Sequence, residues 1–310
     1  MIFTITMNPA VDKTARSASI VPGGLNRLGE ITLDAGGKGI NVSKMINALG
    51  GTSVATGFLG GSSGSDILGV LNKLGIKTDF VNIESPTRIN LKVLSDDFGI
   101  TEFNEPGPAV TSCEMDLLFE KLLGFAKPGS IFAFSGSLPQ GVSPGIYQQL
   151  IETVKNKGAS VFLDADGEAF RSALLSKPDY IKPNKYELTQ YFNVDGDCSL
   201  GEAAYFCKRL IEQGVKMVTL SMGSEGAMFV TESECLYAPA VKVKALSTVG
   251  AGDSMVGAIL YALTMGLDLK ETAALAMAAS AGAVTTQGTN PPSRKIVDDL
   301  LKQVEFQNIP

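Results

Sequence analysis

The sequence predicts an α/β fold with a mostly parallel central sheet and a small second β-sheet beside it. Three observations support this. Short, continuous apolar runs recur along the 310 residues; helical patterns lie between them; and two segments alternate polar and apolar residues around a turn. Uninterrupted apolar strands are buried on both faces, and strands that alternate with helices build parallel sheets.

The runs are IFTITM (2–7), SVATGFLG (53–60), SIFAFSG (130–136), SVFLDAD (160–166), DYIKPN (179–184) and MVTLSMG (217–223). Between them, residues 145–158 put Ile146, Leu150, Ile151 and Val154 on one helical face, and residues 200–214 do the same with Ala203, Phe206, Leu210 and Ile211. Ligands of such sheets bind at the carboxyl ends of the strands, where SGSLP, DAD, KPN and SMGSEG fall. Residues 12–34 and 86–104 read as antiparallel ribbons; in the second, Ile89, Leu91 and Val93 face one way, Asn90 and Lys92 the other. Together they would form a small lid over one domain spanning 1–310. The lid's outer apolar side would need a partner, so a homodimer through the lid is expected.

Composition narrows the function. Hydrophobic residues make up 45% and charged residues 19%, as in a globular protein with a large core. A net charge of -6 argues against bulk binding to nucleic acid. Histidine is absent, so proton transfer falls to carboxylate, lysine, cysteine or tyrosine, and oxygen ligands favour magnesium over zinc. Cys113, Cys198, Cys207 and Cys235 contain no CxxC pair and read as reduced thiols of a cytoplasmic protein. The N-terminal stretch has no signal-peptide pattern, and AALAMAASAGAV (273–284) is too short to cross a bilayer of roughly 30 Å. No membrane partner is expected.

Several motifs remain open between binding and bland readings. In AGGKGINVSK, glycines flank Lys38 and a helix follows, with Val42, Met45, Ile46 and Leu49 inward. Gly37 would let a ligand approach the backbone, and Asn41 could reach the same ligand; an ordinary strand-to-helix turn fits equally. Arg88 and Asn90 share a strand face, where an arginine could fork onto a phosphate or simply meet solvent. Asp12 and Arg27 are individually weak candidates. Asn184 and Glu187 could hold waters of a magnesium ion, but their spacing is also that of a capping box. SMGSEGA (221–227) could contact nucleotide phosphates or begin a hairpin.

The loop STVGAGDS (247–254) can aim successive N–H groups of Gly250, Ala251 and Gly252 at one anion. Asp253 beside it could serve the helix dipole or orient an attacking hydroxyl. No GxGxxG or Walker A pattern is present, which disfavours a dehydrogenase or P-loop enzyme.

AGGKGINVSK and STVGAGDSMVGA, with NPAVD, TRIN, SGSLP, KPNKYEL and SMGSEGA in order, resemble the PfkB carbohydrate kinase family over essentially the whole chain. NEPGP (104–108) departs from the expected NGPGP, so Glu105 carries no assigned role. The resemblance implies a ribokinase-like three-layer α/β/α fold with a small β-sheet lid. It further implies ATP-dependent phosphorylation of a ketohexose phosphate. Fructose 1-phosphate is expected first; tagatose 6-phosphate or fructose 6-phosphate are the alternatives, and a silent sugar-phosphate sensor is the different class. Asp253 would be the base, with Gly250, Ala251 and Gly252 as anion hole. Asp12, Gly37, Asn41 and Asn90 would meet the sugar, and Lys38, Arg88 and Arg27 its phosphate. Lys182, Asn184, Ser221, Gly223, Ser224, Gly226 and Thr248 would line the ATP site. Asn184 and Glu187 would hold Mg2+ through water, and the backbone of Ser247, Val249, Ala283 and Gly288 a monovalent cation such as K+.

Overall fold

The computed structural model describes residues 1–309. The chain runs through β1 (Ile2–Thr6), β2 (Ala10–Ser17), β3 (Gly29–Gly36), α1 (Lys38–Ala48), β4 (Ser53–Gly60), α2 (Gly61–Lys73), β5 (Lys77–Thr78), β6 (Val81–Ile83), β7 (Arg88–Ser95), β8 (Gly99–Asn104) and α3 (Ser112–Phe125). It continues with β9 (Ile131–Ser135), α4 (Ile146–Lys155), β10 (Ser160–Asp164), α5 (Gly167–Leu174), β11 (Tyr180–Ile181), α6 (Lys185–Phe192), α7 (Leu200–Glu212) and β12 (Met217–Ser221). The last elements are β13 (Ala227–Val230), β14 (Cys235–Ala238), α8 (Ala251–Met265), α9 (Leu269–Ala283), α10 (Arg294–Leu301) and β15 (Gln307–Asn308).

The large sheet has the order β15-β14-β13-β12-β11-β10-β9-β1-β4-β5, with β6 also on β4. It is parallel from β12 through β5, and antiparallel where β13, β14 and β15 extend the edge. Strand alternation sends successive residues to opposite faces. Phe132, Phe134, Val161 and Leu163 join a core with α3, α4, α5 and α7; Ala133 and Phe162 join another with α1, α8, α9 and α10. These two cores are the reason the apolar runs have no polar alternation. The apolar segment 273–284 lies largely in α9, which packs its small residues on α8. No described helix is long and apolar enough to cross a membrane.

The second sheet has the order β3-β2-β7-β8, with β2 and β7 parallel and both outer pairs antiparallel. Its first ribbon starts at Ala10 and ends at Gly36, wider than the alternating pattern suggested. A loop of residues 18–28 joins its two strands. Strand β11 is also shorter than the apolar run around it, because α6 begins at Lys185.

Candidate active site

Parallel register assembles the floor. Thr6 pairs with Ser135, Ser135 with Asp164, and Leu163 with Ile181, so Lys182 emerges beside Asp164. Thr6 Oγ1, Ser135 Oγ and Asp164 Oδ2 are buried there without a hydrogen-bond partner. Asp164 is only 1% exposed and takes two cations on one oxygen: Lys182 Nζ at 3.2 Å and Lys38 Nζ at 3.3 Å. Burial pushes its carboxyl up, but Lys182 and Lys38 outweigh this and hold it below the ordinary range. Asp164 in turn raises the Lys38 ammonium above its usual value, against the effect of burial. Composition and spacing gave Asp164 no role. Its one visible signal was its position at the carboxyl end of an apolar run.

Helix α8 brings the second carboxylate. Gly250 is its N-cap in the left-handed region (φ 81°), a conformation glycine adopts at little cost. No side chain caps this end, and the first intrahelical bond is donated by Ser254 to the Gly250 carbonyl, at 2.9 Å. The amides of Ala251, Gly252 and Asp253 therefore have no partner within the helix. A Cβ on Gly252 would lie 3.4 Å from Lys182 Nζ, so this helix end faces the Asp164 cluster. Asp253, 8% exposed, accepts a hydrogen bond from Asn41 Nδ2 at 2.8 Å. Burial, then the nearby Asp164, push its carboxyl up to about 6; the Asn41 bond, Lys38 and Lys182 pull the other way.

The small sheet supplies the remaining wall. Asp34, Asp12, Asn90 and Asn104 form one row across its four strands. Asp12 accepts from Asn90 Nδ2 at 3.1 Å and pairs with Lys92 at 3.3 Å. Lys44 neutralises Asp34 at 2.9 Å, while Thr289 donates to its other oxygen. Gly36 leaves room for Asp12, since a Cβ there would sit 2.7 Å from its carboxyl carbon. Gly37 has φ 113° and turns the chain into α1.

Arg88 is not a free fork. It donates to the carbonyls of Glu105 (2.9 Å) and Asn8 (3.1 Å), while its Nε is buried without a partner. Asn8 donates to Leu138 O, and Gly136 packs against the Lys38 side chain, so both cations border the turn after β9. Glu105, with no role expected from sequence, accepts the Ile89 N–H at 2.8 Å and so pins the start of β7. Arg27 lies apart from these groups on the exposed 18–28 loop, lining a groove of about 550 Å³ with Arg16, Ser95, Ile100 and Leu246.

Asn184 and Glu187 do form the capping box their spacing allows. Each accepts the other's backbone N–H at 2.8 Å. Burial raises the Glu187 carboxyl, and Asp164 adds to this. The Asn184 N–H, Lys182 and Lys38 pull the other way, so burial is what keeps this carboxyl up. Ser221 ends β12 and donates its N–H to the Pro183 carbonyl, then Gly223 and Ser224 form a 3-10 turn closed by Lys185 on Glu225 at 3.1 Å. Gly226 has φ 110°, and a Cβ there would strike the Ala238 carbonyl. Thr248 lies in the 247–250 loop, where Ser247 Oγ accepts the Val249 N–H. Gly288 has φ 62°. The Ala283 carbonyl accepts both the N–H and the hydroxyl of Thr286, so a cation bound by Ser247, Val249, Ala283 and Gly288 must share it.

Comparison with known proteins fits this geometry. Residues 1–296 match the pfkB family carbohydrate kinase. The chain is 34% identical over 309 residues to the 1-phosphofructokinase of Bacillus subtilis, covering 100% of each. It is 35% identical over 310 residues to that of Borreliella burgdorferi, covering 100% of this chain and 99% of the relative. Among solved structures, phosphofructokinase-2 from Escherichia coli in complex with potassium superposes with a TM-score of 0.93 at 32% identity, covering 97% of this chain and 98% of that one. A sheet of the same architecture, a carboxylate under a glycine helix start and a match along nearly the whole length agree: the chain belongs to the PfkB family of carbohydrate kinases, enzymes that phosphorylate sugars from ATP with a divalent metal.

Proposed function

We propose that this protein transfers the γ-phosphate of ATP to the 6-hydroxyl of fructose 1-phosphate, giving fructose 1,6-bisphosphate. The observation that carries the reading is Asp253, buried and held by Asn41 at the uncapped start of α8, with Lys182 beside Gly252. The sugar hydroxyl donates its hydrogen bond to Asp253, which takes the proton as the new O–P bond forms and the γ-phosphate's bond to the departing ADP breaks. A carboxyl pushed up to about 6 is a better acceptor than a free aspartate near 3.9. The amides of Gly250, Ala251 and Gly252 face the transferring group and stabilise its charge, the main demand of phosphoryl transfer.

Asp12, Asn90, Asn41 and the Gly37 backbone grip the sugar. Asn41 Oδ1 and Asn90 Oδ1 are buried without protein partners and fit hydroxyl donors. Arg88, through its unpartnered Nε, and Lys38 meet the sugar's phosphate; Arg27 would join from the lid loop. Lys182, Asn184, Thr248 and the turn at Ser221, Gly223, Ser224 and Gly226 hold ATP. The unpartnered Asp164 Oδ2 and the half-buried Glu187 carboxyl are oxygen donors that suit Mg2+, held through water by Asn184 and Glu187. The metal would neutralise the ATP phosphates. K+ is proposed at Ser247, Val249, Ala283 and Gly288.

The sugar assignment rests on the 1-phosphofructokinase relatives. A second reading has its own support: phosphofructokinase-2 from Escherichia coli was solved with fructose-6-phosphate and superposes at TM-score 0.91. Measuring kcat/KM on fructose 1-phosphate, fructose 6-phosphate and tagatose 6-phosphate decides between them. We expect the first to lead by at least about tenfold, roughly 1.4 kcal/mol of transition-state discrimination. A lead by either 6-phosphate replaces the assignment, and no transfer to any of the three returns the protein to the sensor class.

A further inference from the structure

We propose that Lys92 is a positioning residue for the sugar, acting through Asp12; this rests on the proposed sugar kinase reading. Lys92 lies on β7, two residues beyond Asn90 and on the same face. In register it stands beside Thr14, diagonal to Asp12, and directly opposite Glu102 of β8. Glu102 is exposed and would be the easier partner, since an ammonium there keeps its water. The side chain turns inward instead and pairs with Asp12 at 3.3 Å, with only 10% and 9% of the two side chains exposed. Removing an ammonium from water is expensive unless its partner is well placed. Such a choice marks the Asp12 carboxylate as the group the sheet is arranged around.

Three features converge on that carboxylate. Asn90 Nδ2 holds Oδ1 and Lys92 Nζ holds Oδ2, while Gly36 lacks the Cβ that would displace both oxygens. One donor per oxygen fixes a single orientation and leaves lone pairs on each oxygen for sugar hydroxyls. Lys92 also settles a charge problem. Asp12 and Asp34 stand directly opposite across β2 and β3, where like charges repel. Lys44 neutralises Asp34, and Lys92 neutralises Asp12. Without Lys92, the Asp12 carboxylate would lose its ion pair while facing a substrate that carries its own phosphate.

The test is steady-state kinetics of Lys92→Met, Lys92→Arg, Asp12→Asn and the double variant Asp12→Asn/Lys92→Met, on the ketohexose phosphate that the wild type turns over. Lys92→Met is expected to raise the sugar-phosphate KM about tenfold or more, with kcat within about threefold and the ATP KM within about twofold, the signature of lost uniform binding. Lys92→Arg should recover most of that loss. In the Asp12→Asn background, Lys92→Met should add less than about twofold, because its route is already cut. A full, multiplicative effect in that background would show Lys92 touching substrate itself and overturn the proposal. So would an equal rise in the ATP KM, or no change at all. Should Lys92→Met fail to fold, the uncharged double variant removes both ends of the pair and must match Asp12→Asn alone. A wild type inactive on every ketohexose phosphate defeats the functional reading. Calorimetric binding of fructose 1-phosphate to the same variants would then still decide the role of Lys92.

Discussion

Asp253 shows how far a single residue's environment departs from its intrinsic chemistry. A free carboxyl is nearly useless as a base at neutral pH, but burial and the Asp164 charge push this one up to about 6. With Asp253 as base, kcat/KM should fall about tenfold per pH unit below pH 6 and level off above it. A pH–rate profile with no acid limb between 5 and 7 would remove Asp253 from that role. The same shift has a stability consequence. The folded pKa lies above the ordinary value of 3.8, so between about pH 4 and 6 the native state binds more protons than the unfolded chain. Stability therefore declines as pH rises through that window, and the full penalty applies above it. Asp253→Asn should cut kcat about 10²–10⁴-fold while raising stability at pH 7.5 by about 1–3 kcal/mol. The Asn41 bond survives in the variant because an amide oxygen still accepts. The gain, read as Tm, should vanish below about pH 4. A variant that is both slow and less stable at pH 7.5 would mean that the carboxylate is structural.

At the scale of elements, the crossing of α1 and α8 sets the distance between Asn41 and Asp253, the proposed sugar contact and the proposed base. Asn41 and Met45 lie one turn apart on α1; Asp253 and Gly257 lie one turn apart on α8. A Cβ on Gly257 would sit 2.7 Å from Met45 Cβ and 2.9 Å from the Val42 carbonyl, so the helices touch at backbone range beneath the Asn41–Asp253 bond. Gly257→Ala should wedge them apart. Overpacking of about 1–3 kcal/mol is partly offset by alanine's helix propensity, about 1 kcal/mol. The visible effect should thus be on kcat more than on Tm, and Met45→Gly in the same chain, which removes the Cβ that is struck, should restore part of it. Unchanged turnover in Gly257→Ala would free the site from this crossing. Much of this level was legible in sequence. Apolar runs marked strands because they are buried on both faces, and the glycine turns marked the two helix starts. The cap of α6 was legible too, from the Asn184 and Glu187 spacing alone. Asp164 was hidden because its importance comes from β10 lying beside β11, which brings Lys182 to it. Lys92 was visible only as one side of an alternation, and its turn toward Asp12 rather than Glu102 is a tertiary fact. Glu105 read as a departure from pattern, yet it pins β7 through the Ile89 amide.

The whole molecule has a two-sided small sheet, and only one side is accounted for by the site. Its inner rows are polar: Asp34, Asp12, Asn90 and Asn104, then Thr32, Thr14, Lys92 and Glu102. The opposite face carries the row Leu33, Lys13, Leu91 and Phe103, flanked by Ile31 and Ile89. Leu33 is 56% and Phe103 54% exposed, and Ile31 and Ile89 are also open to solvent. A sheet wet on an apolar face gains from a partner that buries that face. A second copy of the same chain is the simplest partner, because a two-fold axis lets one patch cover itself. We therefore expect a dimer through this sheet, and expect it to stiffen the wall that holds Asp12. Leu33→Glu with Phe103→Glu should halve the mass seen by sedimentation velocity at micromolar concentration. The separated copies should keep ATP binding but show a sugar-phosphate KM raised about tenfold or more, since Asp12 and Asn90 of the proposed sugar site lie on this sheet and none of the proposed ATP contacts do. A wild type that sediments as a monomer would refute the dimer. A dimer that the two glutamates leave intact would place its interface elsewhere, and an unchanged KM in separated copies would show that the lid holds its shape alone.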